Sequence, residues 1–562
     1  MKDNVVMTFY KGDRLVIEKV RIENFKCIKG TLELDLKQGI NILVGNNEAG
    51  KSTILEAIHM ALCGVFRGKT IKGNLSQYLF NYEVVNEYLN NINQGIINEA
   101  PYILIELYLS EGAFPILEGD RFSDKSRLGR TNGIALKIAF DEKYNEEYES
   151  LLKSSELVSL PIEYYDVEWY AFSRKPLTSR SIPIKSSFID VGSSKFQNGS
   201  DVYISRIVQN TLEMDEKTKV AQAFRKAKEF FSKDSAIANI NTKITGISKL
   251  SKKEIELTVD LGSRSTWDGS LITQLNKIPF DYIGKGEQAV IKTELALSNK
   301  KSEASSVILI EEPECHISHA RLNQLLESIK SNYGDKQIII STHSSFVANK
   351  LGLNNLILLN QQKTVRFNHL KSKDFFEKVA GYDTLRLILC DKAILVEGDS
   401  DELVIQRAYM DTHNGRLPIE DNVDVISVGT SFLRFLEIAE NLKTTVRVVT
   451  DNDGNVAALE RKYQDYIDSN KKENIEICYD ENVTTGTLTI GTKNPKLFNY
   501  NTLEPLLLKD NTLELFNQIF ETDYSEEDLH KYMKTHKTEC ALKIFNYPSN
   551  IKYPEYIMRA VQ

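Results

Sequence analysis

The run Gly45-Asn46-Asn47-Glu48-Ala49-Gly50-Lys51-Ser52-Thr53 fits the pattern GxxxxGK[ST], the spacing of a phosphate cradle. In such a turn the backbone N–H groups and the following helix N-terminus converge on phosphate oxygens. Lys51 supplies a point charge and the Ser52 hydroxyl can ligate Mg2+. A second set of residues is acidic: Glu397 and Asp401 in Glu397-Gly398-Asp399-Ser400-Asp401-Glu402, and Asp451 and Asp453 in Asp451-Asn452-Asp453. Like charges brought close repel strongly unless a cation compensates, and oxygen-only ligands suit Mg2+ or Mn2+. The first set predicts a nucleoside triphosphate site and the second a metal site.

Each set needs elements to position it. Ile40–Val44 reads as a buried strand and Thr53–Leu62 as an apolar-striped helix, so the glycines fall in the turn between them. Far downstream, Val307-Ile308-Leu309-Ile310-Glu311-Glu312-Pro313-Glu314 reads as a strand ending in paired carboxylates, the Walker B pattern. Glu311 would hold Mg2+ through its water shell and Glu312 would polarise the water that attacks the γ-phosphate. His343 follows the apolar run Ile338–Ile340 at a strand-to-loop junction, suited either to γ-phosphate contact or to capping. Ile283-Gly284-Lys285-Gly286-Glu287-Gln288 is a glycine-bearing turn before the helical stretch Ala289–Leu297, with a plain helix entry as the alternative.

The C-terminal third reads as βαβαβ: a strand at Lys392–Val396, the acidic loop and a helix, a strand at Asp424–Val428, a helix from Ser431 to Leu442, and a strand at Val446–Thr450. Right-handed crossovers make such strands parallel, and ligand sites form outside their carboxyl ends. Glu397, Asp401, Asp451 and Asp453 can therefore converge. Taken singly, Asp453-Gly454 also fits an ordinary turn, and Asp399–Glu402 a helix start with dipole-favoured acids.

These motifs carry a resemblance. The glycine turn at 283–288 and the opening segment Val20-Arg21-Ile22-Glu23-Asn24-Phe25-Lys26 resemble those of ABC, SMC and RecF-like ATPases. That likeness implies ATP sandwiched in a dimer, with Gly286 in the signature loop, although Gly284 and Lys285 stand where the usual signature serine and first glycine would be. The acidic βαβαβ resembles a TOPRIM domain. An ABC-type ATPase followed directly by TOPRIM resembles the OLD (overcoming lysogenization defect) family, similar to nucleases of Gabija-type and retron-associated antiphage systems. The resemblance implies an α/β chain: ATPase at 1–190 and 251–365, a helical insertion at 191–250 that either mediates dimerisation, as in that family, or packs within the chain, a linker at 366–390, and TOPRIM at 391–562. It also implies an endonuclease that nicks or cleaves DNA, with ATP and Mg2+, or Mn2+ in the TOPRIM site, as cofactors.

In that family ExxxD maps onto Glu397 and Asp401, DxD onto Asp451 and Asp453, and LE onto Leu503-Glu504. Glu504 would be a further metal ligand, with local capping or pairing as the alternative. The downstream lysine maps onto Lys537, with Lys534 and Lys543 close in register; a cation there could stabilise a pentacovalent phosphate. Implied partners are DNA, a second copy of the chain or a higher homo-oligomer, and a helicase-like or reverse-transcriptase and non-coding-RNA companion. The alternatives are an SMC/RecF-like DNA clamp or nucleotide sensor whose TOPRIM module binds without cutting, and a topoisomerase or primase. The 25 tyrosines offer no distinctive nucleophile for the topoisomerase reading.

Composition agrees with a large globular enzyme: 562 residues at 41% hydrophobic allow several cores. No apolar run reaches about 18 residues and the N-terminus lacks a signal-peptide pattern, so a cytoplasmic location without membrane contact is expected. Cys27, Cys63, Cys315, Cys390, Cys478 and Cys540 lack CxxC spacing, which predicts reduced, buried thiols rather than zinc or disulfides. A net charge of −8 does not exclude DNA, because binding depends on local fields. Basic clusters at Arg174, Lys175, Arg180 and Lys185, near Tyr164, Tyr165 and Trp169, and at Arg225, Lys226, Lys228 and Lys233 are either phosphate contacts or solvated faces. Strands are expected at Pro101–Leu109, Gly133–Phe140 and Glu254–Leu261, and amphipathic helices at Ile207–Leu212 and Val220–Phe231.

Overall fold

A computed structural model describes residues 16–66, 69–96, 98–110, 116–123, 131–154, 156–178, 181–190, 196–197, 200–201, 212–245, 257–258, 273–297, 307–332, 336–360, 363–367, 370–378, 384–442, 444–490 and 496–562. Arg180, most of Ile207–Leu212 and most of Glu254–Leu261 lie outside them. The chain divides into two compact units, residues 1–342 with 359–364, and residues 343–358 with 365–562.

The first unit carries two sheets. One is antiparallel, in the order Thr31–Asp35, Ile17–Glu23, Ile103–Leu109, Thr131–Phe140, Glu118–Gly119, with Tyr165–Ala171 also pairing to Thr131–Phe140. Its edge strand Thr31–Asp35 alternates exposed and buried residues, as expected where one face meets water. The other sheet runs in parallel through Ser186–Asp190, Val307–Glu311, Gln337–Ser341 and Ile40–Gly45. Gln337–Ser341 is buried throughout and Ile40–Gly45 nearly so. A strand covered on both faces reads as an unbroken apolar run, which is why these segments stand out in the sequence. Parallel pairing brings their carboxyl ends, Gly45, Asp190, Glu311 and Ser341, to one edge.

The second unit holds a four-stranded parallel sheet in the order Val423–Ser427, Lys392–Val396, Thr445–Val449, Ile475–Cys478. Its helices include Asp399–Thr412, Phe432–Leu442, Leu503–Asp510, Leu513–Phe520, Glu526–Thr535, Lys537–Asn546 and Glu555–Val561. They close one core containing Ile394, Val396, Ile405, Leu507, Phe516, Phe520, Cys540 and Ile557. The expected strands are present with ends moved by a residue. Val428, expected in its strand, lies just past it, its N–H donating to the Val396 carbonyl at 2.9 Å. The 366–390 stretch carries two short helices, Lys373–Lys378 and Thr384–Leu389, with Phe376, Leu385, Leu387 and Ile388 buried.

The expected helix over Val220–Phe231 lies within Met214–Ser232, followed by Ser235–Thr245. Two expectations need correction. The turn before Ala289 is shorter than expected, because the helix already starts at Lys285 and takes Gly286 into its first turn. The Gln288 amide folds back on the Phe280 and Ile283 carbonyls at 2.8 Å each and closes that entry. The six cysteines are free, but only Cys478 and Cys540 are buried; Cys27 is exposed. The aromatics near Arg174 are packing residues: Tyr165 is buried, and Trp169 donates from Nε1 to the Ala61 carbonyl at 2.9 Å.

Candidate functional site: a phosphate cradle and an acidic cluster

The strand Ile40–Gly45 runs into the cradle, and the helix Lys51–Cys63 leaves it. A Cβ on Gly45 would meet the Leu359 carbonyl oxygen at 2.8 Å and the Ala49 Cβ at 2.9 Å, so only glycine fits there. Gly50 caps the helix in the left-handed region at φ 97°. Asn46, Asn47, Glu48 and Ser52 form an exposed rim, Ala49 is half-buried, and Lys51 and Thr53 are buried. The Lys51 ammonium donates to the carbonyls of Gly45 at 2.9 Å and Asn46 at 3.1 Å. Burial pushes that ammonium's pKa down, against the opposing pull of Glu312 and Glu314.

The structure brings Glu311 to this cradle. Burial is the main cause that raises its carboxyl; the Ser52 hydroxyl hydrogen-bonds it in opposition, while Asp190, Glu56 and Glu312 add repulsion. Asp190 pairs in register with Glu311 across the sheet. Sequence reasoning missed Asp190, whose only signal is an acid at the end of the short strand Ser186–Asp190. Glu312 sits at φ 42°, its N–H donating to the Ser341 carbonyl at 3.0 Å and its carboxylate accepting from Cys315 Sγ at 3.1 Å. Glu314 accepts from the Thr342 hydroxyl at 2.7 Å. His343, next in the chain, is exposed at the start of a loop. Gly286 packs tightly: a Cβ there would lie 2.5 Å from the His316 carbonyl oxygen.

In the second unit the acidic side chains stand just beyond strand ends. Glu397 follows Lys392–Val396 and is exposed; Asp401 lies in the first turn of Asp399–Thr412 and accepts from the Gly398 N–H at 3.0 Å. Asp451 follows Thr445–Val449 and accepts from the Leu503 N–H at 3.2 Å. Asp453 is held at φ 50° and accepts from Asn499 Nδ2 at 3.0 Å. Glu504, 6% exposed, sits in the first turn of Leu503–Asp510 and pairs with Lys537 Nζ at 3.2 Å. Of the three candidate lysines, Lys537 faces the cluster. Lys534 lies over the Phe498 ring, and Lys543 donates to the Phe520 carbonyl.

The electrostatics show how close these groups are. Burial, then the charges of Glu504 and Glu397, raise Asp401 to about 6 against the Gly398 hydrogen bond and Lys537. Burial, with Asp401, Glu504 and Asp453, holds Asp451 well above the ordinary carboxylate range. Burial opposes the charge on Lys537, but Glu504, Asp451 and Asp401 outweigh it and raise its ammonium. Asp401, Asp451 and Glu504 are thus mutually coupled, with Glu397 coupled through Asp401 and Asp453 through Asp451. Among the described residues, no three His, Cys, Asp or Glu side chains are closed to metal-ligand spacing. The donor set nonetheless fits a hard divalent cation: it is all oxygen, and Asp401 and Asp451 are held above the ordinary carboxylate range by burial and neighbouring negative charge that a cation would offset.

The sequence did not single out the scaffold beneath. Asn452, 3% exposed, donates to the carbonyls of Asp480 at 2.6 Å and Asn482 at 3.0 Å, fixing the turn between the two aspartates. Asn501 bridges to Thr484 through both its carbonyl and its amide, at 2.6 and 2.9 Å. Tyr556 is buried against the cluster; burial, then the charges of Asp451 and Asp401, push its hydroxyl pKa far up. The basic clusters are partly used locally. Arg174 stacks 3.6 Å from the Phe122 ring centre, Arg225 pairs with Glu229 at 2.9 Å, and Lys228 lies over Phe224.

Known proteins match this chain in pieces. An AAA ATPase domain model matches residues 16–63, and an AAA domain model described as a putative AbiEii toxin of a type IV TA system matches residues 168–349. The overcoming lysogenization defect protein-like TOPRIM domain model matches residues 388–453. The DNA double-strand break repair Rad50 ATPase of Methanopyrus kandleri is 53% identical over 47 residues, 8% of this chain and 5% of that protein. Its namesake in Thermoplasma acidophilum is 34% identical over 86 residues, 15% and 10% of the respective chains. This chain thus spans a tenth or less of those relatives' length.

Among solved structures, the SMC head domain from Thermotoga maritima aligns at 11% identity and TM-score 0.30, over 63% of this chain and 99% of that one. The recombination mediator protein RecF aligns at 10% identity and TM-score 0.31, over 63% and 99%. No helix among the described residues is long and apolar enough to cross a membrane. The domain matches fall on the parallel sheet behind the phosphate cradle and on the second parallel sheet that bears the acidic cluster, and give this chain an AAA-type ATPase with an OLD-like TOPRIM domain at its C-terminal side.

Proposed function

We propose that the protein is a divalent-metal-dependent DNA endonuclease, nicking or cutting both strands, governed by an ATP-binding and ATP-hydrolysing module and acting in antiphage defence. The observation that carries the nuclease reading is the coupled cluster Asp401, Asp451 and Glu504, with Glu397 and Asp453 at its rim and Lys537 against it. Asp401, Asp451, Glu397, Asp453 and Glu504 would hold Mg2+ or Mn2+. A divalent ion held there would supply an activated water and would offset charge on a scissile phosphate. Lys537, half exposed beside Glu504, can turn its ammonium to a phosphate oxygen and stabilise the charge that builds there. Asn452 and the Leu503 N–H keep the DxD turn and Asp451 oriented through this step. The defence role rests on family likeness alone.

At the cradle, Lys51 exchanges its carbonyl partners for β- and γ-phosphate oxygens. Ser52 and Glu311 would hold Mg2+, Glu312 would orient the attacking water, and Asn46 to Thr53 would grip the phosphates, with His343 and Gly286 as further nucleotide contacts. Lys51→Ala should weaken ATP binding, and Glu312→Gln should slow hydrolysis while leaving binding intact.

The nuclease test is supercoiled plasmid with Mg2+ or Mn2+, comparing the native chain with Glu397→Ala and Asp451→Ala. Nicked or linear product lost in both variants supports the reading, and equal cutting by the variants overturns it. A second reading, a non-cleaving SMC/RecF-like ATP-dependent DNA clamp or nucleotide sensor whose TOPRIM module only binds, is favoured by the Glu504–Lys537 pair, which occupies one carboxylate of the cluster. DNA retained without cutting would mark that outcome.

A further inference from the structure

Away from the phosphates, the last turn of the cradle helix carries a cluster that ATP chemistry does not use. His59 Nδ1 lies 2.9 Å from the Ser186 hydroxyl and 3.8 Å from Cys63 Sγ, and Cys63 Sγ lies 3.2 Å from the same hydroxyl. His59 and Cys63 are one helical turn apart on Lys51–Cys63, and Ser186 opens the neighbouring strand. The His59 ring stacks on Phe188 at 5.5 Å, which fixes its orientation. Cys63 remains partly exposed. Burial pushes the thiol up, yet the hydrogen bond and charge of His59, with Ser186, outweigh it and bring Cys63 down to about 7. Cys315, Cys390 and Cys540 are all pushed up to about 12, chiefly by burial. A thiolate beside an imidazole with a hydroxyl donor is the arrangement of a reactive cysteine rather than a packing one.

We propose that Cys63 is a modification site: a thiolate that hydroperoxides oxidise to sulfenic acid, with His59 supplying the proton to the departing oxygen. The sulfur attacks one peroxide oxygen, an S–O bond forms and the O–O bond breaks. Sulfur loses two electrons, and the leaving hydroxide or alkoxide takes the proton from His59 Nδ1, so water or an alcohol departs. The added oxygen lands against Ser186, whose strand ends at Asp190 beside Glu311, on the helix that begins at Lys51. Oxidation therefore strains both supports of the cradle and slows ATP turnover.

The test treats the full chain with hydrogen peroxide at neutral pH, traps sulfenic acid with a dimedone-type probe and quantifies each cysteine by mass spectrometry. Cys63 should label fastest. His59→Gln should slow it about tenfold, since most of the thiolate is lost and only part is regained in nucleophilicity. Exposed Cys27 should keep its rate in the same sample, which checks the fold. Where the Gln variant does not fold, Ser186→Ala takes its place and should slow labelling about threefold by removing one donor. In a Cys27→Ser background, peroxide should lower ATP turnover, and Cys63→Ser should abolish that sensitivity. Labelling of Cys63 no faster than buried Cys540, or unchanged by the variants, overturns the site; full Cys63 oxidation with undiminished turnover overturns the coupling.

Discussion

Asp401 offers the sharpest test of the acidic cluster, because it can be read without any activity. Its carboxyl ordinarily loses its proton at 3.8 and here does so at about 6, for reasons of burial first and then the charges of Glu504 and Glu397. The folded chain therefore keeps the Asp401 proton to a higher pH than the unfolded chain. Stability falls as pH rises through that window, and the full penalty is present above it. Ionising a group so placed costs about 3 kcal/mol in the metal-free protein. Asp401→Asn removes the charge and still accepts the Gly398 N–H, so most of that penalty should be regained, about 2–3 kcal/mol. For a unit of this size the gain corresponds to about 5–10 °C in melting temperature.

The assay is calorimetry of the full chain in EDTA at about pH 7.5 and about pH 4.5, with Mn2+ titrated in at the higher pH. Native protein should gain stability with Mn2+ in proportion to the logarithm of its concentration, because the ion binds the folded state. Asp401→Asn should start higher at neutral pH, lose most of its advantage in acid, and respond weakly to the metal. A variant no more stable than the native chain at neutral pH, or equally stabilised at both pH values, would refute the coupling argument. An undiminished Mn2+ response would refute Asp401 as a ligand.

Lys537→Ala should abolish plasmid cutting and also destabilise, since Glu504 is left buried beside Asp451. Loss of a fully buried partner costs about 3–5 kcal/mol, but Lys537 is half exposed and solvent screens the pair, so about 1–2 kcal/mol is expected by urea titration. Adding Glu504→Gln to that variant should recover the stability and not the cutting; no recovery would mean that repulsion is not the cause. Gly64→Ala should cost about 2–4 kcal/mol in the same assay, because Gly64 sits at φ 65° and a Cβ there would lie 2.6 Å from the Trp169 ring. A neutral result would show that Trp169 is free to move.

What could be read from the sequence was what is local. The cradle needs a buried strand, a glycine turn and a helix in immediate succession, and each leaves its own mark on adjacent residues. The βαβαβ order likewise predicted that Glu397, Asp401, Asp451 and Asp453 would sit beyond parallel strand ends, where the fold puts them. Asp190 and Tyr556 stayed hidden because their meaning is set by register and packing rather than by neighbours in the chain. Asp190 matters only because its strand pairs with Val307–Glu311, and Tyr556 because its helix packs against the strands that end at the cluster.

Glu504 and Lys537 fall between these cases. No spacing rule links them to Asp451, and family likeness alone suggested them, with Lys537 the best candidate and Lys534 and Lys543 close in register. Packing separates the lysines: Lys537 opens its helix with its side chain toward Glu504, while Lys543 is drawn to the Phe520 carbonyl. The cluster's chemistry therefore depends as much on the C-terminal helices, which place Glu504 and Lys537, as on the sheet that carries the motifs. A substitution that loosens the helix Lys537–Asn546, such as truncation of buried Ile544, should weaken metal binding without touching a ligand. Ile544→Ala melting with an unchanged Mn2+ affinity would show that the sheet alone organises the site.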